Sequence, residues 1–296
     1  MSNRRRFLQQ LGAGAALSMV GVSPLFAAGA DAGFVGRLRA LEDRHGGRLG
    51  VAVLDSHNGR RLAHRGGERF LLCSTVKFPT AARILARVDA GAESLDRHID
   101  YSANDIVTYS PETKQHVATG MTLGAICRAG LTQSDNTAAN LMLHSVGGPA
   151  AVTRFVRSLG DDVTRSDRYE TALNDYTPGS PHDSTTPRAM LGLMQRILLG
   201  NALSAASRQQ LIAWMRACRT GDNRLRAGLP AAWRVGDKTG SGGNNSANDI
   251  AIIQPPNRPP LLVAAYYAGS AATHSQRDRV LADVGQAVAG VASART

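Results

Sequence analysis

Strand-forming blocks stand near the two ends of this chain, with a long helical stretch between them. RLGVAVLDS and RRLAHR, separated by the turn-forming HNG, read as a β-hairpin near the start. WRVGDKTG, DIAIIQ and LLVAAYYAG return to strand character near the end. From about residue 73 to 215 the apolar spacing is helical, as in MTLGAICRAGLT, TAANLMLHSVG, PAAVTRFVRSLG and TPRAMLGLMQRILLG. The expected fold is therefore α+β: an antiparallel sheet built from both termini and flanked by helices, with an inserted all-helical domain. The α/β domain is expected over residues 31–72 and 216–296, and the helical domain over 73–215. A cleft should form where the two meet, a usual place for a small-molecule site. A first helix is expected over DAGFVGRLRALEDRH and a closing one from about Ser275 to Val291. With 296 residues, 43% of them hydrophobic, the chain can bury the core such a fold needs.

The first thirty residues read as a targeting segment and are set apart from the fold. Arg4 and Arg5, followed by Phe7 and Leu8, form a twin-arginine export pattern ahead of the weakly polar run LGAGAALSMVGVSPLF. That run is broken by Gly and Ser and is short for a membrane span. Ala28 and Ala30 offer an A-x-A cleavage site, so residues 1–30 are expected to be a signal peptide and the mature protein periplasmic or secreted. The formal charge is +11, and three of those charges, Arg4, Arg5 and Arg6, lie in this segment. The remaining arginines are scattered, with few aromatics between them, which argues against a nucleic-acid groove and stays compatible with an anionic substrate. Three widely spaced cysteines, Cys73, Cys127 and Cys218, allow at most one disulfide. The eight histidines form no metal-binding spacing, so no metal is expected.

Lysine usage points to the chemistry. Of 34 Lys plus Arg residues only Lys77, Lys114 and Lys238 are lysines. Lysine is a compact charge that loses its proton when desolvated, which arginine does not do. Lys77 lies in CSTVKF, three residues after Ser74. On a helix that spacing puts the amine beside the hydroxyl, and a serine hydroxyl needs such a base before it becomes a nucleophile. Ser134-Asp135-Asn136 follows between two helical segments. Lys238 opens KTGSG at the end of a strand, where its charge and the hydroxyls of Thr239 and Ser241 form a receptor for a carboxylate. A polar, Pro- and Gly-rich stretch over residues 164–187 interrupts the helical pattern, and loops of that length are usually functional or disordered. It carries Glu170 with Asn174 four residues on.

Each motif alone is weak, but the order S-x-x-K, SDN, KTG, at separations of 60 and 104 residues, is a known set. The chain resembles the class A serine β-lactamases over essentially its whole mature length, and SDNTAANL, RAGLP and VGDKTGSG resemble that family too. The resemblance implies that Ser74 attacks the lactam carbonyl. It implies that Lys77, or Glu170 through water, accepts the proton, and that Ser134 relays one to the leaving nitrogen. The Ser74 and Ser241 amides would form the oxyanion hole. Asn136 would hold the substrate's side-chain amide, and Lys238, Thr239 and Ser241, with Arg224 or the nearby Arg226, its carboxylate. Glu170 and Asn174 would hold one water for deacylation. Tyr109 would line the entrance, and Arg168 and Asp183 would tie the ends of an omega-like loop over 168–183. In some relatives a cysteine at the Cys73 position is bridged to one just after KTG; Gly242 stands there, so that bridge cannot form.

Other readings of the same Ser-Lys pair are a D,D-peptidase and a penicillin-sensing receptor domain that is acylated and stays so. Both should lack the Glu170–Asn174 pair, and a receptor should carry an anchor. The expectation is therefore a hydrolase of penicillins and cephalosporins that needs no cofactor beyond water. It should be a monomer with no stable membrane association.

Overall fold

A computed structural model of the chain describes residues 24–293. Helix α1 (Pro24–His45) leads into strands β1 (Arg48–Asp55) and β2 (Arg61–His64). A short strand β3 (Phe70–Leu71) and a 3-10 turn (Cys73–Val76) then open α2 (Lys77–Asp89). Strands β4 (His98–Ile99) and β5 (Met121–Thr122) precede α3 (Leu123–Thr132), α4 (Asn136–Val146) and α5 (Pro149–Ser158). After a long loop come β6 (Ser184–Thr185), α6 (Pro187–Met194), a π-helical turn (Gln195–Leu199) and α7 (Ala205–Arg216). Strands β7 (Arg234–Gly242), β8 (Ser246–Gln254) and β9 (Leu261–Ala268) and helix α8 (His274–Ser293) complete the chain.

The main sheet has the spatial order β2-β1-β9-β8-β7, antiparallel throughout, so the termini do build one sheet. Strand periodicity sorts its side chains between two cores. Ala52, Leu54, Ile250, Leu262, Ala264 and Tyr266 face the helical insertion and join Phe78, Ile84, Leu123 and Met190. Leu49, Val51, Val53, Ala251, Val263 and Tyr267 face the other way, onto Phe34 and Leu38 of α1 and Val284 and Val288 of α8. Both faces are covered, which is why LLVAAYYAG reads as a continuous apolar run. Truncating one of these side chains, as in Leu262→Ala, should cost about 2–5 kcal/mol.

Strand β7 is a sheet edge, and its face at Gly240 meets the turn Cys73–Val76, which also touches β8. Gly240 permits that approach: a Cβ there would lie 3.1 Å from Cys73 Cβ and 3.2 Å from Ser74 N. The seam between sheet and insertion thus runs past Ser74.

Three details differ from the sequence expectations. The first helix begins at Pro24, upstream of Asp31; most of the expected signal peptide, residues 1–23, lies outside the described residues. The helical middle contains the ribbon of β4 with β5, and its β6 pairs with β3 just ahead of it; these two-residue strands are too short to show a period. All three cysteines are free and buried, so none forms the disulfide that the count allowed.

Candidate active site

Ser74 sits in the 3-10 turn and Lys77 begins α2, which places their side chains together: Lys77 Nζ donates to Ser74 Oγ at 2.8 Å. The amine is 1% exposed. It also donates to Ser134 O (2.9 Å) and Asn136 Oδ1 (2.7 Å) and lies 3.0 Å from Glu170 Oε1. Burial pulls its pKa below that of a free lysine, against the charge of Glu170, which pulls it up. The short ion pair and the lowered pKa act in opposite senses. An ammonium brings three N–H groups to these contacts where a neutral amine brings two, so the contacts favour the charged form.

The tripeptide Ser134-Asp135-Asn136 forms the entry to α4. Asp135 is its N-cap, accepting from Ala138 N, and also receives Glu112 N, Thr113 N and Thr113 Oγ1. This anchors Ser134, whose backbone is left-handed at φ 59°. Ser134 Oγ lies between the two motif lysines, 3.4 Å from Lys77 Nζ and 3.0 Å from Lys238 Nζ. Asn136 Nδ2 donates to Thr108 O while its Oδ1 accepts from Lys77 Nζ.

Lys238 is fully buried and donates to Ser134 Oγ and Thr239 O. Burial, then the charge of Lys77, pushes its pKa down to about 7. It is not a wall of the cleft. That wall is made by Thr239, Gly240 and Ser241 of β7, with Ser74, Tyr109, Ser134, Asn136, Asn174, Thr220, Arg224 and His274, around a space of about 400 Å³. A larger groove of about 830 Å³, beside Arg61, Arg188 and Arg196, contains none of the Ser-Lys-Glu residues. Arg224 is 3% exposed, paired through Nε with Asp278, and donates from Nη2 to Ser241 Oγ at 2.7 Å. Arg226 is turned away and bonds Asp237 instead. Between the two arginines the cleft therefore takes Arg224. Tyr109, 57% exposed with φ 63°, stands at the rim.

The long loop brings Glu170 to the serine. Glu170 Oε1 accepts from Ser74 Oγ at 3.4 Å, and Oε2 accepts from Asn174 Nδ2 at 2.5 Å across a 3-10 turn, Ala172–Asn174. The Glu170 and Asn174 side chains are bonded to each other, and Asn174 Oδ1 is left buried without a protein partner. The Glu170–Thr171 peptide bond is cis. Asp183 closes the loop. Its Oδ1 accepts from Asp167 N (2.8 Å) and Arg168 N (3.1 Å), and its Oδ2 from Arg168 Nε (2.6 Å). The pair is not bidentate: the second arginine contact goes from Nη2 to Asp175 O.

Two supports were not foreseen. Asn140 Oδ1 accepts from Glu170 N, and its Nδ2 donates to Glu170 O, fixing the loop to α4. Asn140 lies four residues after Asn136, on the same helix face, which is the signal that could have found it. Thr220 Oγ1 shares a hydrogen bond with Thr239 Oγ1, and nothing in the sequence near Thr220 announces it.

A serine gripped by a buried lysine, with a loop carboxylate in reach, defines a serine hydrolase working through an acyl-enzyme. The sequence matches the Beta-lactamase enzyme family over residues 34–291. It is 44% identical to β-lactamase L2 of Stenotrophomonas maltophilia, covering 97% of this chain and 98% of that one. Against β-lactamase OXY-1 of Klebsiella oxytoca the identity is 43%, with 83% and 84% covered. An ancestral class A β-lactamase of known structure is 57% identical, with a TM-score of 0.86 over 87% of this chain and 99% of that one. The chain belongs to the class A β-lactamases.

Proposed function

We propose that this protein hydrolyses the β-lactam amide bond of penicillins and cephalosporins through an acyl-enzyme on Ser74, conferring resistance to them. The observation that carries this reading is the convergence of Lys77 Nζ on Ser74 Oγ at 2.8 Å and Glu170 Oε1 at 3.0 Å. Ser74 attacks the lactam carbonyl carbon. Its proton has two acceptors: Lys77, once that ammonium has passed a proton to Glu170, or Glu170 itself through water. The amides of Ser74 and Ser241 stabilise the oxyanion, each donor contributing roughly 3–4 kcal/mol. Ser134 gives its hydroxyl proton to the departing nitrogen and takes one back from Lys77. Glu170 passes the proton it gained to Lys77, so that all three regain their starting forms. Both lysines donate to Ser134 Oγ, which leaves its hydroxyl proton free to move outward.

The substrate carboxylate meets the Thr239 and Ser241 hydroxyls. Arg224 orients Ser241, and Lys238 supplies positive charge from behind. Asn136 receives the substrate's side-chain amide, and Tyr109 packs at the entrance. Glu170 then takes a proton from water, which attacks the ester and frees Ser74; general-base help of this kind is worth about 10²–10⁴-fold. The chemistry needs no cofactor. The Glu170–Asn174 pair favours this reading over a D,D-peptidase or an acylated sensor.

Intact-protein mass spectrometry with benzylpenicillin tests it. Wild type should consume drug and return to its free mass, while Glu170→Ala accumulates an adduct on Ser74. Wild type that stays acylated for hours would overturn it. Serine at position 241 and the missing Cys73 bridge favour activity on many cephalosporins. A cefotaxime kcat/KM about one-thousandth of that for benzylpenicillin, a gap of about 4 kcal/mol, would remove that half of the proposal.

We also infer export of a monomer through the twin-arginine route to the periplasm or medium. The support is the Arg4-Arg5 segment. In addition, no helix among the described residues is long and apolar enough to cross a membrane. Arg4→Lys with Arg5→Lys should retain activity inside the cell; unchanged export would refute the route.

A further inference from the structure

Behind Lys238 lie two carboxyl groups that the reaction does not use. Asp237 on β7 and Asp249 on β8 are each 0% exposed. The register pairs Asp237 with Ala251 and Thr239 with Asp249, so the two acids are diagonal neighbours on one face of the ribbon. Their surroundings hold too few donors. Asp237 Oδ1 takes Arg226 Nη2, and Asp249 Oδ2 takes only Leu225 N at 3.2 Å. Asp237 Oδ2 and Asp249 Oδ1 are both buried with no hydrogen-bond partner. A Cβ on Gly221 would strike Asp237 Oδ2, so that side is closed by backbone.

The charged groups around the pair do not relieve it. Arg224 is committed to Asp278, Ser241 Oγ and the carbonyls of Gly240 and Asn248. Arg226 is shared between Asp237 and Asp222. Lys238 donates elsewhere, and the remaining titratable neighbours, Cys218 and Tyr266, are neutral at pH 7, burial pushing the thiol to about 11 and the phenol upward. Two ionised carboxylates here would leave two bare acceptors on neighbouring strands in the buried interior. One proton between them satisfies both.

We propose that Asp249 is protonated in the folded enzyme and donates from Oδ1 to Asp237 Oδ2, so that the pair carries one negative charge, and that this charge, next to Lys238 on β7, helps keep Lys238 an ammonium. Asp249 is thus a positioning residue acting through Asp237. Burial, then the Asp237 charge, holds the Asp249 pKa well above the ordinary carboxyl range, in keeping with this. The link to catalysis rests on the proposed role of Lys238 toward the substrate carboxylate.

Two measurements need no substrate. Wild type at pH 7 should show the infrared carbonyl band of a protonated carboxyl, shifted by ¹³C-aspartate and lost in Asp249→Asn, whose amide can still donate to Asp237. No such band at pH 7 would overturn the proposal even if the variants misfold. Because the folded Asp249 pKa is raised, wild type loses stability as pH climbs above about 4 toward that pKa. Its unfolding constant should rise by about tenfold per pH unit relative to Asp249→Asn. Parallel pH–stability curves would mean that Asp249 is ionised.

The third measurement is the pH dependence of KM for benzylpenicillin. Asp237→Asn should move its alkaline limb down by roughly one pH unit, the effect of a unit charge about 10 Å away at an effective dielectric near 20. An unmoved limb with the band present would refute the coupling to Lys238. Absence of benzylpenicillin turnover in wild type would instead count against the proposed function, leaving the shared proton to the first two tests.

Discussion

Replacing Asp183 with asparagine keeps the shape of the loop clamp and removes its charge. In the native protein the carboxylate takes three N–H groups, from Asp167, Arg168 and the Arg168 side chain, and Asp183 is 1% exposed. The amide carbonyl can serve one side only, and its NH₂ then points at a donor on the other. A hydrogen bond to a charged group is worth about 1.5–3 kcal/mol, and stranding one partner of a buried pair about 3–5 kcal/mol. Arg168 is 30% exposed, so water recovers part of this, and about 2–3 kcal/mol remains. Felt by the loop alone, that lowers the ratio of closed to open loop by about 30- to 150-fold. Glu170 rides on this loop, whereas Ser74 and Lys77 do not. Both routes for the Ser74 proton also draw on Glu170, so stopped-flow mixing with benzylpenicillin should show the acylation burst and the steady state both slowed, each by up to that factor. Hydrogen exchange over residues 165–184 should accelerate in parallel. A variant whose loop amides stay protected and whose steady state is unchanged would refute the reasoning.

Gly240→Ala should lower kcat/KM by about tenfold or more, because the new Cβ would press on Cys73 and Ser74 N and displace the oxyanion donors; an unchanged kcat/KM would show that β7 can move aside. Arg226→Ala should cost about 3–5 kcal/mol in a denaturant titration by stranding Asp237, and leave KM for benzylpenicillin nearly unaltered. Lys238, with a folded pKa of about 7 against an ordinary 10.5, loses its charge as pH rises through 7, so KM for a carboxylate-bearing substrate should climb above that pH. Stability moves the other way: between about 7 and 10.5 the folded state binds fewer protons than the unfolded, so Lys238 contributes stability that grows with pH there. Comparative melts against Lys238→Met would expose that slope, and identical slopes would count against it. Thiol titration should find Cys73, Cys127 and Cys218 unreactive in the native protein and all three reactive in denaturant.

What could be read in the sequence was whatever repeats at short range. The β1–β2 hairpin, the helices and Ser74 with Lys77 all follow from spacings of two to four residues. The closing helix, expected from Ser275 to Val291, spans His274–Ser293. Glu170 and Asn174 were legible for the same reason, and their side chains meet in a direct bond. Burial was not legible. Lys238 reads as part of a carboxylate receptor in KTG, yet it is enclosed, because β7 turns that side of the strand toward Ser134 and the helical insertion. Left-handed backbone was hidden too. Cys73, Tyr109, Ser134 and Asp183 all have positive φ without being Gly or Asn; tertiary contacts impose that strain around the cleft. The choice of Arg224 over Arg226 likewise depended on Asp237 and Asp278, partners outside any short-range spacing.

Arg48 at the start of β1 is paired with Ala268 at the end of β9. A ribosome making this chain must release nearly all of it before the first strand finds its neighbour in the middle of the sheet. Until then β1 and β2 are a lone hairpin, marginal in water, with both faces of β1 apolar and exposed to aggregation. Pairings this distant in sequence form slowly. The hydroxyl at Ser74 and the KTG edge that it needs reach each other only in the same late event. A nascent or truncated chain lacking β7 to β9 should thus have no partial activity: the enzyme arrives whole or not at all.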